Sequence, residues 1–239
     1  MIIERGFKLK LRFLSTFAVT VAVALAAVGL VGASSAVACS YTGSSHCYGS
    51  WRWTDPLSSF KGVSANISPT CLTVPSSGSN FATDEIWLLE SLAPANWVEV
   101  GWMVQRGAFP GTPTASPFGF WVDQRPGQNW WLHSLLEQPL QSVHVSIERA
   151  SASSFQVYFD GVGGLSTSNS MASTSAEIGS EITTSLARSR ASFSGMYWSD
   201  GSSWHPKWKS SLYTNFGHDA PNTFAWTTQG SAAWAGSPC

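Results

Sequence analysis

The sequence predicts an all-β domain, an antiparallel β-sandwich, preceded by a targeting segment. Three observations carry that expectation. Short apolar runs alternate with clusters of Ser, Thr, Gly and Asn, several runs alternate apolar and polar residues strictly, and no stretch of eleven or more residues shows helical periodicity. Segment 97–105 is the clearest case, with Val98, Val100, Trp102 and Val104 facing one way and Trp97, Glu99, Gly101 and Met103 the other.

The chain opens with Arg5, Lys8, Lys10 and Arg12 ahead of an apolar run over 17–31, and Ala36-Val37-Ala38 then supplies a small-residue cleavage pattern. Residues 1–38 are therefore expected to be a signal peptide cut after Ala38, and residues 39–239 a single secreted, extracellular domain with no membrane segment after cleavage. Acylation of Cys39 is the alternative, disfavoured because a lipoprotein signal needs a larger aliphatic residue where Ala36 stands.

Beyond the signal, nine Lys/Arg face thirteen Asp/Glu, a balance that argues against nucleic acid as a partner. Cys39, Cys47, Cys71 and Cys239 all lie in this part. An even count in an exported chain suggests two disulfides. Of three connectivities, Cys39 with Cys47 would close a small loop and leave Cys71 to hold the C-terminal Cys239. Their spacing does not suit zinc, so neither metal nor cofactor is expected.

Strands are expected over 62–67, 85–90, 97–105, 118–123, 130–134, 143–148 and 155–160. Gly107, Pro110, Gly111 and Pro113 mark a long surface loop. Asp160-Gly161, followed by Gly163-Gly164, marks a tight turn, and the next run is rich in Ser and Thr. After Arg190, Trp198, Trp204, Trp208 and Trp226 sit among Ser, Gly, Asp and Pro, which reads as an irregular tail wrapped on the sheets.

Three steps share one form: Trp97-x-Glu99, Trp121-x-Asp123 and Trp131-x-His133. Each places both side chains on one strand face, and coincident faces would give an aromatic floor carrying two carboxylates and an imidazole. Burial against indole raises a carboxyl's affinity for its proton, as does a second carboxylate nearby. The plain alternative is that the tryptophans pack and the polar residues alternate into water. Glu177 and Glu181 would likewise share one strand face, or one helix face. No nucleophile elbow, phosphate loop or zinc-helix signature is present.

Val98-Glu99-Val100-Gly101 and the Ala176-Glu177 to Glu181 segment resemble two short motifs of the glutamic peptidases, the eqolisin family, over residues 62–184. The resemblance implies a concanavalin A-like jelly roll with a catalytic pair on separate strands, at Glu99 and Glu177. The chain departs from the family at Glu99, which stands where the family has Gln.

On that reading Glu177 is the general base toward water and then the acid toward the leaving group, with Glu99 as partner. Glu181, Asp123 and His133 are supporting candidates. Like charges in one site imply a coupled pair and an acidic optimum. A glycoside hydrolase would use the same geometry, with carboxyls about 5 Å apart for retention or roughly 6.5–9.5 Å for inversion. A carbohydrate-binding, lectin-like protein is the competing class, with Trp97, Trp121 and Trp131 stacking on sugar and Gln105, Asp123 and His133 as rim, because thirteen tryptophans exceed one core's needs. A structural envelope protein is the third reading. For the first two, the expected partner is an extracellular polypeptide or polysaccharide.

Overall fold

The computed structural model describes residues 46–54, 60–92, 94–128, 132–206, 214–219, 221–227 and 232–239, all within one unit, Val37–Cys239. The signal segment, Cys39 and Trp131 lie outside them. Fifteen strands follow in order: β1 Cys47–Thr54, β2 Gly62–Thr73, β3 Asn80–Leu92, β4 Ala95–Arg106, β5 Phe118–Gln124, β6 Leu132–Glu137, β7 Val143–Ser151, β8 Ser154–Phe159, β9 Val162–Thr167, β10 Ser175–Ile182, β11 Arg188–Ser199, β12 Trp204–Pro206, β13 Thr214–His218, β14 Thr223–Trp226 and β15 Ala232–Gly236. No helix occurs among the described residues.

These strands form two sheets. A seven-stranded sheet runs β13-β1-β10-β3-β4-β5-β6, and an eight-stranded sheet runs β14-β15-β11-β2-β7-β8-β9 with β12 added on β11. Every strand pair is antiparallel, as expected where hairpins and long returns replace helical crossovers. The expected sandwich is therefore the observed one.

Between the sheets lies an apolar layer built from alternate positions of both. Ile86, Leu88, Val98, Val100 and Ile178 meet Val63, Ala65, Val145, Ile147 and Phe193, all fully buried. Burying each larger side chain contributes about 1.5–3 kcal/mol. Trp102 of β4 meets Phe159 of β8 edge to face, with centroids 5.2 Å apart, the offset geometry that aromatic quadrupoles favour.

The turn read at Asp160-Gly161 is present, with φ of 50° and 76°, and joins β8 to β9. Two positive φ values match the twist of a tight hairpin. The tail departs from its reading as irregular: β11 carries twelve residues, β13 joins β1 in one sheet, and β14 and β15 extend the other. Small residues conceal these strands, since Ala233 and Ala235 are fully buried yet too small to register as an apolar run.

Cys71 pairs with Cys239, Cα atoms 6.2 Å apart and 168 residues apart in sequence. The bond fastens β2 to the chain end beyond β15. Closing so long a loop restricts the unfolded chain by about 5 kcal/mol in the chain-entropy treatment. Cys47 is disulfide-bonded as well.

Candidate functional site

Strand register sets the site. Across the seven-stranded sheet, Arg52 of β1, Glu177 of β10, Trp87 of β3, Glu99 of β4 and Val122 of β5 are successive Cα partners. One row further lie Ser50, Gly179, Glu85, Gly101 and Phe120, and beyond them Tyr48, Glu181, Thr83, Met103 and Phe118. Rows two residues apart share a face, so all these side chains project away from the apolar layer. Adjacent strands are about 4.8 Å apart, which puts the Cα atoms of Glu177 and Glu99 roughly 10 Å apart with Trp87 between them.

Glu177 is held from β1. The Ser50 hydroxyl donates to its Oε1, and Arg52 Nε donates to its Oε2 at 2.5 Å. Arg52 reaches the carboxylate with its own side chain 21% exposed while Glu177's is 4% exposed. This ion pair is thus closed on the protein side and open at its outer edge.

Glu99 is held from β3, where Trp87 Nε1 donates to its Oε2 at 2.6 Å. Burial, reinforced by the charge of Glu181, pushes Glu99 up to about 8, against the opposing indole N–H groups of Trp87 and Trp97. Glu85, fully buried one row away, is also raised, first by burial and then by Glu99 and Glu181. Burial and Glu181 raise the Tyr48 phenol too. His46 pairs with Glu181, and burial, which lowers its pKa, is outweighed by that carboxylate.

Gly179 and Gly101 flank Glu85 in its row. A Cβ on Gly101 would lie 2.2 Å from Asp84 O and 2.7 Å from Glu85 Cα, so no side chain fits there. The absence of side chains at both positions leaves room for Glu85, Glu99 and Glu181 to approach one another.

Glu99, Glu177, Glu181 and Trp97 therefore share one face. The expected electrostatic partner differs, because Glu99 couples to Glu181 and Glu85 rather than to Glu177.

Trp121, Asp123 and His133 do not join them, and Trp131 lies outside the described residues. Glu99 stands opposite Val122, which turns Trp121 and Asp123 toward the inter-sheet side; one residue of register decides the face. Trp121 is 7% exposed in the core and stacks on His133 at 3.8 Å and 7°. Asp123 accepts from Arg125 Nε at 3.0 Å and from Asn169 Nδ2 at 3.0 Å, fastening the 169 segment to β5. Burial lowers the pKa of His133, with Asp123 opposing.

Gln105 shares the face of Glu99 but is spent on the long loop. Its Nε2 donates to Pro113 O at 2.8 Å and its Oε1 accepts from Ala108 N at 3.0 Å. Phe109 of that loop packs against the cluster of Phe81, Met103, Phe118, Phe120 and Val122. Gln105 clamps the loop, and Trp121 does not share the face of Trp97.

Trp87, Glu85, Arg52, Ser50 and Tyr48 were not singled out from sequence. Period-two spacing, Tyr48-x-Ser50-x-Arg52 and Thr83-x-Glu85-x-Trp87, was the available signal.

No protein-family model matches the chain, and no curated protein does. Solved structures do match. A scytalido-glutamic peptidase with a transition state analog inhibitor gives a TM-score of 0.55 at 12% identity, over 81% of this chain and 98% of that one. SCP-B, a member of the eqolisin family of peptidases in complex with the tripeptide Ala-Ile-His, gives 0.52 at 14% identity over the same shares. These structural neighbours are glutamic peptidases, the family that the two short motifs resemble, and the likeness establishes a shared fold.

Proposed function

We propose that this protein is an exported hydrolase that cleaves peptide bonds with Glu177 and Glu99, acting outside the cell after removal of residues 1–38. The observation that carries the reading is the row Glu177–Trp87–Glu99, in which one carboxylate is ion-paired to Arg52 and the other carboxyl keeps its proton up to about pH 8. A carboxylate oriented by a guanidinium, beside a carboxyl that holds its proton, supplies a base and a hydrogen-bond donor to one site.

Neutral Glu99 also accounts for the departure at this position. A protonated carboxyl carries one donor and one acceptor oxygen, as an amide carries one donor nitrogen and one acceptor oxygen, so it performs the hydrogen bonding of a Gln. Trp87 Nε1 occupies Oε2. The acid proton of Glu99 is then the donor toward the carbonyl oxygen of a substrate lying over the indole.

In the reaction, Glu177 takes a proton from water as the water oxygen bonds to the peptide carbonyl carbon. Glu99 donates a hydrogen bond to the oxygen that gains charge. The carbon–nitrogen bond then breaks, and Glu177 returns its proton to the departing amine. Arg52 and Ser50 orient Glu177 through the cycle.

The test is digestion of a denatured, unglycosylated protein by the purified chain and by its Glu177→Gln variant. Removing a positioned base lowers the rate by about 10²–10⁴-fold. Equal digestion by both, or by neither, ends the proposal.

A further inference from the structure

The outer face of the eight-stranded sheet, opposite the acidic row, carries a second arrangement. Trp204, Ser199, Gly62, Glu148 and Gln156 are successive Cα partners across β12, β11, β2, β7 and β8. The adjacent row is Tyr197, Ser64, Ser146 and Tyr158. Trp204 is 41% exposed and Tyr197 39% exposed, so two large aromatic side chains meet solvent side by side on a face otherwise built of hydroxyls, amides and one carboxylate.

Trp204 is placed, not merely left out. Its Cη2 would lie 2.9 Å from a Cβ on Gly62, so the indole reaches across Ser199 and rests on the one position of these two rows that has no side chain. The turn before it is fixed by Asp200, whose Oδ1 accepts from the backbone N–H of Ser202 at 2.7 Å and of Ser203 at 2.9 Å. Asp200 Oδ2 also pairs with His205 Nε2 at 2.8 Å, and the His205 ring stacks on Trp198 at 4.5 Å.

Two clefts meet at Trp204. One, of about 290 Å³, is lined by Ser64, His144, Ser146, Glu148, Tyr197 and Trp204. The other, of about 190 Å³, shares Glu148 and Trp204 and extends to Lys61, Arg149, Ser199 and Ser202. Their polar groups are oriented in advance. Ser146 Oγ donates to Glu148 Oε1 at 3.0 Å, and His144 Nδ1 is engaged with Asn66 Oδ1 at 3.1 Å, which directs its Nε2 to a ligand.

An indole and a phenol beside serine, histidine and glutamate complement a ligand that is apolar on its face and hydroxylated at its rim. A pyranose ring with axial hydrogens has that form. In the second cleft the Glu148 carboxylate is offset by Lys61 and Arg149, so the groove carries no large net charge to favour a strongly ionic ligand, and the paired clefts suit a chain of sugars better than a single ring. We propose that this groove is a glycan-binding subsite that takes an uncharged, β-linked oligosaccharide, with Trp204 as the stacking platform and Glu148, Ser146 and His144 as hydrogen-bonding partners. It lies on the sheet opposite the acidic row, so it tethers the protein to a polysaccharide while the other face works.

The experiment is calorimetric titration of the purified full chain with cellohexaose, chitohexaose and laminarihexaose. At least one is expected to bind, and Trp204→Ala is expected to weaken it at least tenfold, with Tyr197→Ala weakening it less. Glu177→Gln should bind as the parent does, and Trp204→Ala should digest an unglycosylated protein at the parental rate. A circular dichroism spectrum identical to the parent's confirms that the Trp204 variant is folded. Absence of binding to all three sugars, binding that survives Trp204→Ala, or binding lost in Glu177→Gln would each overturn the proposal.

Discussion

Trp87 Nε1 donates to Glu99 Oε2 at 2.6 Å, and the same tryptophan is the cross-strand partner of Glu177. One indole therefore separates two acids and orients one of them. Had Glu99 and Glu177 been direct neighbours, each would have opposed the ionisation of the other. With β3 between them, Glu177 answers to Arg52 and Glu99 answers to Glu181 and Glu85.

Replacing Trp87 by Phe keeps the ring and removes the donor. Glu99 Oε2 is then left without its indole donor, at a cost of about 1–3 kcal/mol in stability. The indole favours the ionised carboxyl, so its loss should move the ionisation of Glu99 further up. The expected outcome is a roughly tenfold drop in kcat with little change in KM, and an alkaline limb displaced to higher pH, read from a pH–rate profile.

Stability should rise on acidification. Folded Glu99 keeps its proton to about 8 against an ordinary 4.5, and burial raises Asp84 to about 7 from 3.8, with Ser180 and Ser189 opposing. Across these intervals the native state holds more protons than the unfolded chain, so unfolding free energy falls as pH rises. His46, with its pKa raised beside Glu181, adds to the trend in the same sense. Each of the two carboxyls contributes on the order of a few kcal/mol between pH 5 and 8. Urea midpoints should be highest near pH 5 and lowest near pH 8, and a midpoint that drops on acidification contradicts this.

Asp84 isolates one part of that dependence. It lies between the sheets, accepting from Ser180 Oγ at 2.5 Å and Ser189 Oγ at 2.7 Å. Asp84→Asn keeps the acceptor and cannot ionise. Its stability should match the parent within about 1 kcal/mol at pH 5 and exceed it at pH 8, measured by urea unfolding.

Gly101→Ala is expected to lower the stability by more than about 3 kcal/mol, because the added methyl meets backbone on β3 and not a flexible side chain. Thermal unfolding measures it. An unchanged melting temperature would mean that the two strands are less closely apposed at that row.

What the sequence disclosed depended on chemical contrast between the two faces of a strand, apolar Val98, Val100, Trp102 and Val104 against Glu99 and Gly101 in β4. The β4 alternation was legible, and with it the common face of Trp97 and Glu99. β5 and β10 are buried on both faces, so their alternation carried no hydrophobic contrast, and Trp121-x-Asp123 looked equivalent to Trp97-x-Glu99 although the register turns it the other way. Glu177 and Glu181 were visible as a pair because two acids in an apolar segment are conspicuous. Arg52 and Ser50 were not, since their role comes from β1 pairing with β10, a contact spanning 125 residues for Arg52 and Glu177.

The decisive measurement is the pH dependence of peptide hydrolysis by the Glu99→Gln variant beside the parent. A neutral carboxyl acting as a hydrogen-bond donor requires that parental activity fall as pH rises through about 8, and that Glu99→Gln remain active with that fall abolished. A Glu99→Gln enzyme that is inactive at every pH, or one that retains the parental alkaline limb, would contradict it.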